Sequence, residues 1–130
     1  MKLLLLALVA VAAYAEPETV MVTCHAKEGA DKELARVLAR HWTTVRDLKL
    51  VTDAPHLTLR GAGEGGRIYF VEIFTWRDAA IPDNAPAAVR AIWEEMARFA
   101  DKIDIAEVEI IGEPPARAAA AAASVPARAR

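Results

Sequence analysis

The sequence predicts an α+β domain with the order β-α-β-β-α-β. This is a ferredoxin-like sandwich, in which a four-stranded antiparallel sheet carries two helices on one face. Residues Thr19–Lys27 alternate apolar and polar side chains as a strand does, and Arg67–Trp76 is largely apolar on both alternating sets. Two longer segments repeat their apolar residues every three or four positions, which is the spacing of amphipathic helices.

The first strand turns at Glu28-Gly29 into a helix that is predicted from Ala30 to about Leu50. A short second strand, His56–Arg60, follows Pro55. The apolar stripe of the first helix consists of Leu34, Val37, Leu38, Trp42, Val45 and Leu48.

The glycine-rich stretch Gly61–Gly66, GAGEGG, matches the pattern G-x-G-x-x-G. That pattern binds pyrophosphate when it leads from a strand into the N-terminus of a helix, and here a strand follows it. Glu64 would also repel phosphate. The sequence therefore predicts a hairpin loop and no nucleotide site.

The second helix is predicted to begin near Asn84 as its N-cap, and a fourth strand is predicted at Ile105–Ile111. The apolar stripe of this helix consists of Val89, Ile92, Trp93, Met96, Phe99, Ala100 and Ile103.

The third strand cannot bury both of its faces with two helices alone. If the helices cover Phe70 and Phe74, the opposite face leaves Tyr69, Val71 and Ile73 in water. Each such side chain contributes roughly 1.5–3 kcal/mol when buried, and an open apolar sheet face promotes aggregation. We therefore expect a homodimer that packs sheet against sheet, with Tyr69 bonding across the interface.

The two ends of the chain differ from the domain between them. Residues 1–15 have Lys2 followed by an apolar run shorter than the ~20 residues of a bilayer span, which predicts a cleaved export signal. An uncleaved anchor is the alternative. Residues 114–130 are rich in Ala, Arg and Pro and predict a disordered tail. The domain is thus expected at residues 16–113, in a periplasmic or secreted protein without stable membrane insertion after cleavage.

The charge of the domain argues against nucleic-acid binding, and the cysteine count excludes an internal disulfide. Residues 16–113 hold all 18 acids and 12 of the 16 bases, a net charge of −6, which disfavours binding to nucleic acid. Cys24 is the only cysteine, so the chain forms no internal disulfide. Its position in an alternating strand predicts a buried apolar thiol, with a reactive thiol as the alternative.

Glu72 is the strongest candidate for acid–base chemistry. It shares a strand face with Phe70, Phe74 and Trp76, and these aromatic surroundings disfavour a charged carboxylate and suit it to exchange a phenolic proton. The alternative is a structural ion pair with Arg60 across the hairpin.

The histidines are weaker candidates. His25 and His56 lie on different predicted strands and could meet one ligand as catalytic groups, or each could be an ordinary hydrogen-bonded residue. His41 falls on the apolar stripe of the first helix and is expected at a boundary or an interface. The histidines and Cys24 have no zinc-like spacing, so no metal is predicted.

The chain resembles the antibiotic biosynthesis monooxygenase (ABM) domain of the dimeric α+β barrel superfamily over residues 19–111. The matching features are Lys27-Glu28-Gly29 after the first strand, Phe74-Thr75-Trp76 at the end of the third strand, and the apolar spacing of the second helix. The resemblance implies a ligand between sheet and helices near Trp76. Its haem-degrading members carry a His on the second helix and an Asn on the first strand, and both are missing here, as is an Ala-His pair that many relatives have after the tryptophan.

The resemblance and the residues together favour an exported, dimeric, cofactor-independent monooxygenase that acts on a small phenol or quinol. A non-catalytic module that binds a small hydrophobic molecule and a purely structural dimer are the alternatives. No bound cofactor is expected. The predicted ligand pocket is bounded by Phe70, Glu72, Phe74, Trp76, Trp93 and Met96.

Overall fold

The computed structural model of the protein describes residues 16–112 and has the predicted order of strands and helices. The four strands form one antiparallel sheet in the order β2-β3-β1-β4, which confirms the predicted fold class. The predicted signal at 1–15 and tail at 114–130 lie outside the described residues. The elements are β1 (Glu18–Ala26), α1 (Asp31–Asp47), β2 (Leu57–Ala62), β3 (Ile68–Trp76), α2 (Ala87–Phe99) and β4 (Ala100–Glu107).

Strand pairing sorts the side chains onto two faces of the sheet, because successive residues of a strand point to opposite sides. Val22 pairs with Glu72, and Glu72 pairs with Thr58, so these three residues share one face. We call it the helix face, and it also carries Val20, Cys24, Ala26, Phe70, Phe74 and Trp76. The other side, the free face, carries Met21, Thr23, His25, Leu57, Leu59, Tyr69, Val71 and Ile73.

Both helices pack on the helix face and form two connected groups of buried side chains. Near the α1 N-terminus, Leu34 and Leu38 pack with Cys24 and Phe70. Near its C-terminus, Val45 packs with Phe74, Trp76 and Val89. The predicted apolar stripes therefore do face the sheet.

The predicted start of the second helix at Asn84 is wrong, because α2 begins at Ala87 with Pro86 as its N-cap residue. Ala85 precedes a proline and takes an extended conformation, which a pre-proline residue favours over the helical one. Asn84 instead ends a 3₁₀ turn, where its side-chain amide donates to the carbonyl of Ala80.

The predicted bounds of the fourth strand are also wrong, because β4 begins directly after α2 at Ala100. Ala100 pairs with Ala26 and Ile103 pairs with Cys24, so three residues of β4 oppose two of β1 across a bulge. The bulge places Ala100 and Ile103 on the same side at a spacing of three. That spacing resembles a helical period, which is why the sequence predicted helix here.

β2 and β3 form the predicted hairpin, but the predicted loop bounds Gly61–Gly66 are wrong, because Gly61 and Ala62 still pair with β3 and the 3₁₀ turn spans Glu64–Gly66. At Gly61 the ring of Tyr69 occupies the space of a side chain, since a Cβ there would lie 2.4 Å from its Cζ. Tyr69 thus lies flat across the end of the free face.

None of the helices within residues 16–112 is long and apolar enough to cross a membrane.

Candidate functional site

A cavity of about 370 Å³ lies between the helix face of the sheet and the helices. Its walls are apolar apart from Glu18, His41 and Glu72. The sheet contributes Glu18, Val20, Val22, Glu72, Phe74, Trp76, Ile103 and Ile105, and the remaining wall consists of His41, Pro82, Trp93 and Met96.

Glu72 lies at the inner wall of this cavity and is 1% exposed. Its two carboxylate oxygens face two different imidazoles. His41 Nδ1 lies 3.5 Å from Oε2, and His56 Nε2 lies 3.2 Å from Oε1. A buried carboxylate is costly unless polar groups compensate for lost water, and His56 supplies a hydrogen bond to one of its two oxygens.

His41 comes from the middle of α1 and is only 3% exposed. The indole N–H of Trp93 donates a hydrogen bond to His41 Nε2 over 3.1 Å. Since an indole nitrogen can only donate, Nε2 must be the unprotonated nitrogen of a neutral ring. The proton of His41 is therefore on Nδ1, which is the atom that faces Glu72.

His56 lies just before β2 and holds the other side of the carboxylate. Its ring is stacked on Trp42 of α1, with centroids 3.6 Å apart and planes 7° from parallel. Thr58 Oγ1 lies 3.3 Å from the same His56 Nε2 that contacts Glu72. Helix and strand edge together therefore fix the position of this imidazole.

Two buried side-chain polar atoms among residues 16–112 lack a hydrogen-bond partner, and they are His41 Nδ1 and Glu72 Oε2. They face each other across 3.5 Å and both residues line the cavity. A donor and an acceptor that are both unsatisfied cost free energy unless a guest bonds to them. A hydroxyl group fits this need, because it can accept from Nδ1–H and donate to Oε2.

Cys24 is fully buried near the carboxylate, and its thiol contacts Met96 Sδ at 3.8 Å. Burial, reinforced by the negative charge of Glu72, raises the pKa of Cys24 to about 12. The thiol stays protonated at neutral pH, in agreement with the predicted unreactive state.

The structure brings most of the predicted pocket residues together. Glu72 lines the cavity with four of its five predicted neighbours, Phe74, Trp76, Trp93 and Met96. Phe70 instead packs beside Cys24 in the core and is not a cavity-lining residue. Arg60 lies beside Asp31 and does not pair with Glu72, so the alternative of a hairpin ion pair fails.

The two histidines predicted to meet one ligand lie on opposite sides of the sheet. His56 contacts Glu72, whereas His25 lies on the free face, 3.6 Å from Asp104 and beside Tyr69. The strand β3 also lies between β1 and β2, so the two histidines are not on neighbouring strands.

His41 is the site residue that sequence reasoning missed. The signal was present, because an ionisable side chain on a buried helical stripe needs a buried polar partner. Its pairing with Glu72 could have been expected from the fact that both lie on faces predicted to meet.

No group of three or more His, Cys, Asp or Glu side chains within residues 16–112 could hold a metal ion.

Solved structures share this arrangement of strands and helices. SnoaB, a cofactor-independent oxygenase from Streptomyces nogalater, superposes with a TM-score of 0.57 at 18% identity, covering 77% of this chain and 99% of SnoaB. The chain therefore shares the α+β fold of this structure. A conserved protein from Bacteroides thetaiotaomicron gives a TM-score of 0.55 at 13% identity, over 74% of this chain and 100% of its own.

PA3566 from Pseudomonas aeruginosa gives a TM-score of 0.52 at 17% identity, over 76% of this chain and 98% of PA3566. No protein-family model and no curated protein sequence matches the chain. At these identities the likeness establishes the fold and leaves the activity to the residues of the site.

Proposed function

We propose that the cavity binds a planar aromatic molecule and takes its hydroxyl group between Glu72 and His41. The observation that carries this proposal is the facing pair of unsatisfied buried atoms, Glu72 Oε2 and His41 Nδ1, on a cavity wall. A phenolic hydroxyl would satisfy both at once, which no purely apolar guest can do.

The other walls of the cavity support an aromatic guest. Phe74 and Trp76 are edge to face with ring centroids 4.8 Å apart, and Trp93 continues the series 6.3 Å from Trp76. Aromatic side chains prefer such edge and offset contacts to further rings. The volume of about 370 Å³ lies in the range of small-molecule sites.

The geometry supports removal of the phenolic proton as the first step. Glu72 Oε2 accepts the proton, while His41 Nδ1–H donates a hydrogen bond to the phenolate oxygen as its charge develops. Since Trp93 holds His41 in this tautomer, the donor is in place before the guest arrives. The proton therefore passes to a fixed acceptor beside a fixed donor.

A phenolate is electron-rich enough to reduce dioxygen, and cofactor-independent monooxygenation then follows. In the simplest case phenol and dioxygen give benzoquinone and water, so one oxygen atom enters the ring and the other leaves as water. All four electrons that reduce dioxygen come from the phenol. The fold of SnoaB, which is a cofactor-independent oxygenase, is consistent with this reaction class.

The proposal includes a homodimer in which two free faces pack together. It is supported by Leu57 and Leu59, which are 49% and 51% exposed beside the apolar Val71 and Ile73. Export through a cleaved signal at residues 1–15 is part of the same proposal, and N-terminal sequencing of the protein from culture medium or periplasm tests it.

Oxygen uptake by the purified protein with a panel of hydroquinones and naphthols tests the proposed reaction. Glu72→Gln keeps the shape of the side chain but removes the proton acceptor, so uptake should fall by roughly 10²–10⁴-fold, the usual value of a positioned general base. Glu64→Gln, in the exposed hairpin turn, is the matched control and should leave uptake unchanged. Equal uptake by wild type and Glu72→Gln would overturn the reaction.

Binding without turnover is a second candidate, favoured by the shortage of polar groups in the cavity. Besides Glu18, His41 and Glu72, the residues described as lining it offer only the indole N–H groups of Trp76 and Trp93, and that of Trp93 is already bonded to His41. Quenching of tryptophan fluorescence by 1-naphthol with no oxygen consumed and no product would support this candidate over the reaction.

A further inference from the structure

We infer that His56 is the proton outlet of Glu72: the proton that Glu72 takes up leaves to solvent through the imidazole of His56. It does not return through the cavity. This role of His56 rests on the proposed function, which supplies the proton from a bound hydroxyl. His56 does not touch that hydroxyl and acts through Glu72, so it is a positioning residue of the site.

The two carboxylate oxygens of Glu72 have different histidine neighbours. Oε2 lies 3.5 Å from Nδ1 of His41, a cavity-lining residue, whereas Oε1 lies within hydrogen-bond distance of His56 Nε2, at 3.2 Å. His56 does not line the cavity, and its side chain is 20% exposed against 1% for Glu72. The imidazole therefore connects a dry carboxyl to water while a guest closes the other side.

The other groups that face Glu72 cannot carry the proton away. His41, from α1, has its Nε2 occupied by the indole N–H of Trp93 and its Nδ1 already protonated, so neither nitrogen can accept. Cys24, from β1, holds its own proton because burial and the Glu72 charge raise its pKa to about 12. His56 differs from both, because the Thr58 hydroxyl beside its Nε2 can turn from donor to acceptor when a proton arrives.

The surroundings of His56 suit both of its protonation states. When Nε2 is unprotonated, the Thr58 hydroxyl can donate to it over 3.3 Å, and when it is protonated it can donate to Glu72. The face of Trp42 stacks on the ring and stabilises the imidazolium by a cation–π contact. The same stack keeps Nε2 aimed at the carboxyl.

The transfer is balanced in protons and needs no electrons. The carboxyl group turns about its Cγ–Cδ bond so that the proton taken up on Oε2 faces His56 Nε2, and transfer of that proton to Nε2 forms the imidazolium. The imidazolium then loses the proton on Nδ1 to water, and exchange with solvent restores the starting tautomer. Glu72 is left as the carboxylate, ready for the next hydroxyl.

Exchange of the Glu72 proton with water can be measured without any ligand, by ¹³C NMR of the labelled glutamate carboxyl carbons across the pH range of the folded full-length chain. In the wild type the Glu72 carboxyl carbon should give one resonance averaged by fast exchange. In His56→Gln we expect exchange to slow by roughly a hundredfold, at the low end of the effect of a positioned proton carrier. Free imidazole in the buffer should restore the wild-type rate.

His25→Gln is the matched control, because it removes an imidazole from the opposite face of the sheet, and it should leave exchange unchanged. Unchanged exchange in His56→Gln, or a slowing that imidazole does not restore, would overturn the outlet. If His56→Gln does not fold, His56→Asn removes the same imidazole with a smaller side chain. Slower exchange that imidazole restores in this variant supports the outlet, and an unchanged rate overturns it.

Oxygen uptake separates the two proposals. If no phenol is oxidised but His56→Gln slows exchange in a way that imidazole repairs, the proposed reaction fails and the outlet stands. If oxidation occurs while the exchange rate of the Glu72 proton is the same with and without His56, the reaction stands and the outlet fails.

Discussion

The two faces of the sheet are built from the same strands but solve different problems. On the helix face, two helices remove Phe74 and even the carboxylate of Glu72 from water. On the free face, nothing within residues 16–112 covers Leu57 and Leu59, and half of each side chain is exposed. Because helices cover only one side of the sheet, β3 has its carboxyl group on the buried helix face and apolar side chains on the exposed free face.

The contrast teaches where polarity is placed for function. A chain folded only for stability would put the carboxylate on the wet side of β3 and the isoleucine and valine on the dry side. Here the burial of Glu72 is maintained by His41 and His56, at the expense of a pair of unsatisfied atoms. Such an exception on an otherwise ordinary core face marks a site.

Truncation on each face tests the contrast most strongly. Phe74→Ala should lower the free energy of unfolding by about 3–5 kcal/mol, because it opens a cavity in a fully buried core. Leu59→Ala should cost under about 1 kcal/mol in a dilute monomer, as for other partly exposed residues. Urea unfolding measures both, and a cost of Leu59→Ala that grows with protein concentration would reveal cover by a second copy.

A charge on the free face tests whether that face is an interface. Val71→Asp should convert a homodimer into a folded monomer, because like charges buried together at an interface oppose association by several kcal/mol. Sedimentation equilibrium at micromolar concentration is the measurement. Ala62→Asp, at the exposed end of β2, is the control and should leave the mass unchanged. A wild-type chain that is already monomeric would contradict the expected dimer.

The pH dependence of stability should reveal the buried thiol of the helix face. The pKa of Cys24 is raised from 9.0 to about 12 in the folded chain. Its contribution to the free energy of unfolding is therefore complete below pH 9.0 and is lost as the pH rises towards 12. Over that pH range the free energy of unfolding of the wild type should fall by about 1.4 kcal/mol per pH unit more than that of Cys24→Ala. Urea titrations at increasing alkaline pH measure the two slopes, and parallel slopes would rule out the buried, neutral thiol.

The smallest effect concerns one hydrogen bond at the site. Trp93→Phe keeps an aromatic ring but removes the N–H that holds His41 Nε2, so stability should fall by about 1 kcal/mol. The ¹⁵N shifts of His41 should then change from one tautomer to a mixture. Trp42→Phe, whose ring stacks on His56, should leave the His41 shifts as they are. Unaltered shifts in Trp93→Phe would mean that the indole does not set the tautomer.

The fold was predictable because periods of two and of three to four residues distinguish strands from helices over long segments. The errors arose where a local feature changes the period. The bulge of β4 gave Ala100 and Ile103 a helix-like spacing, and Pro86 moved the start of α2 beyond Asn84. The bulge cannot be located without knowing how the strands pair, whereas the effect of Pro86 on the residue before it can be read from the sequence.

The site was predictable only within one strand. Parity along β3 was enough to group Glu72 with Phe74 and Trp76, and the apolar stripe of α2 supplied Trp93 and Met96. Parity does not say how two strands are oriented to each other, so it could not separate His25 from His56. The two periods place Glu72 and His41 on faces that meet, but they do not say which residues of those faces come into contact.

The hydrogen bond from Trp93 to His41 also determines which guests the cavity would reject. With Nε2 occupied, the ring offers one permanent donor, and the carboxylate beside it offers one permanent acceptor. A ketone or a methyl ether could accept a hydrogen bond from the ring but could not donate one to the buried carboxylate. Sites built to bond a hydroxyl discriminate strongly against analogues that lack it. Selectivity here would come from an indole that does not touch the distinguishing group.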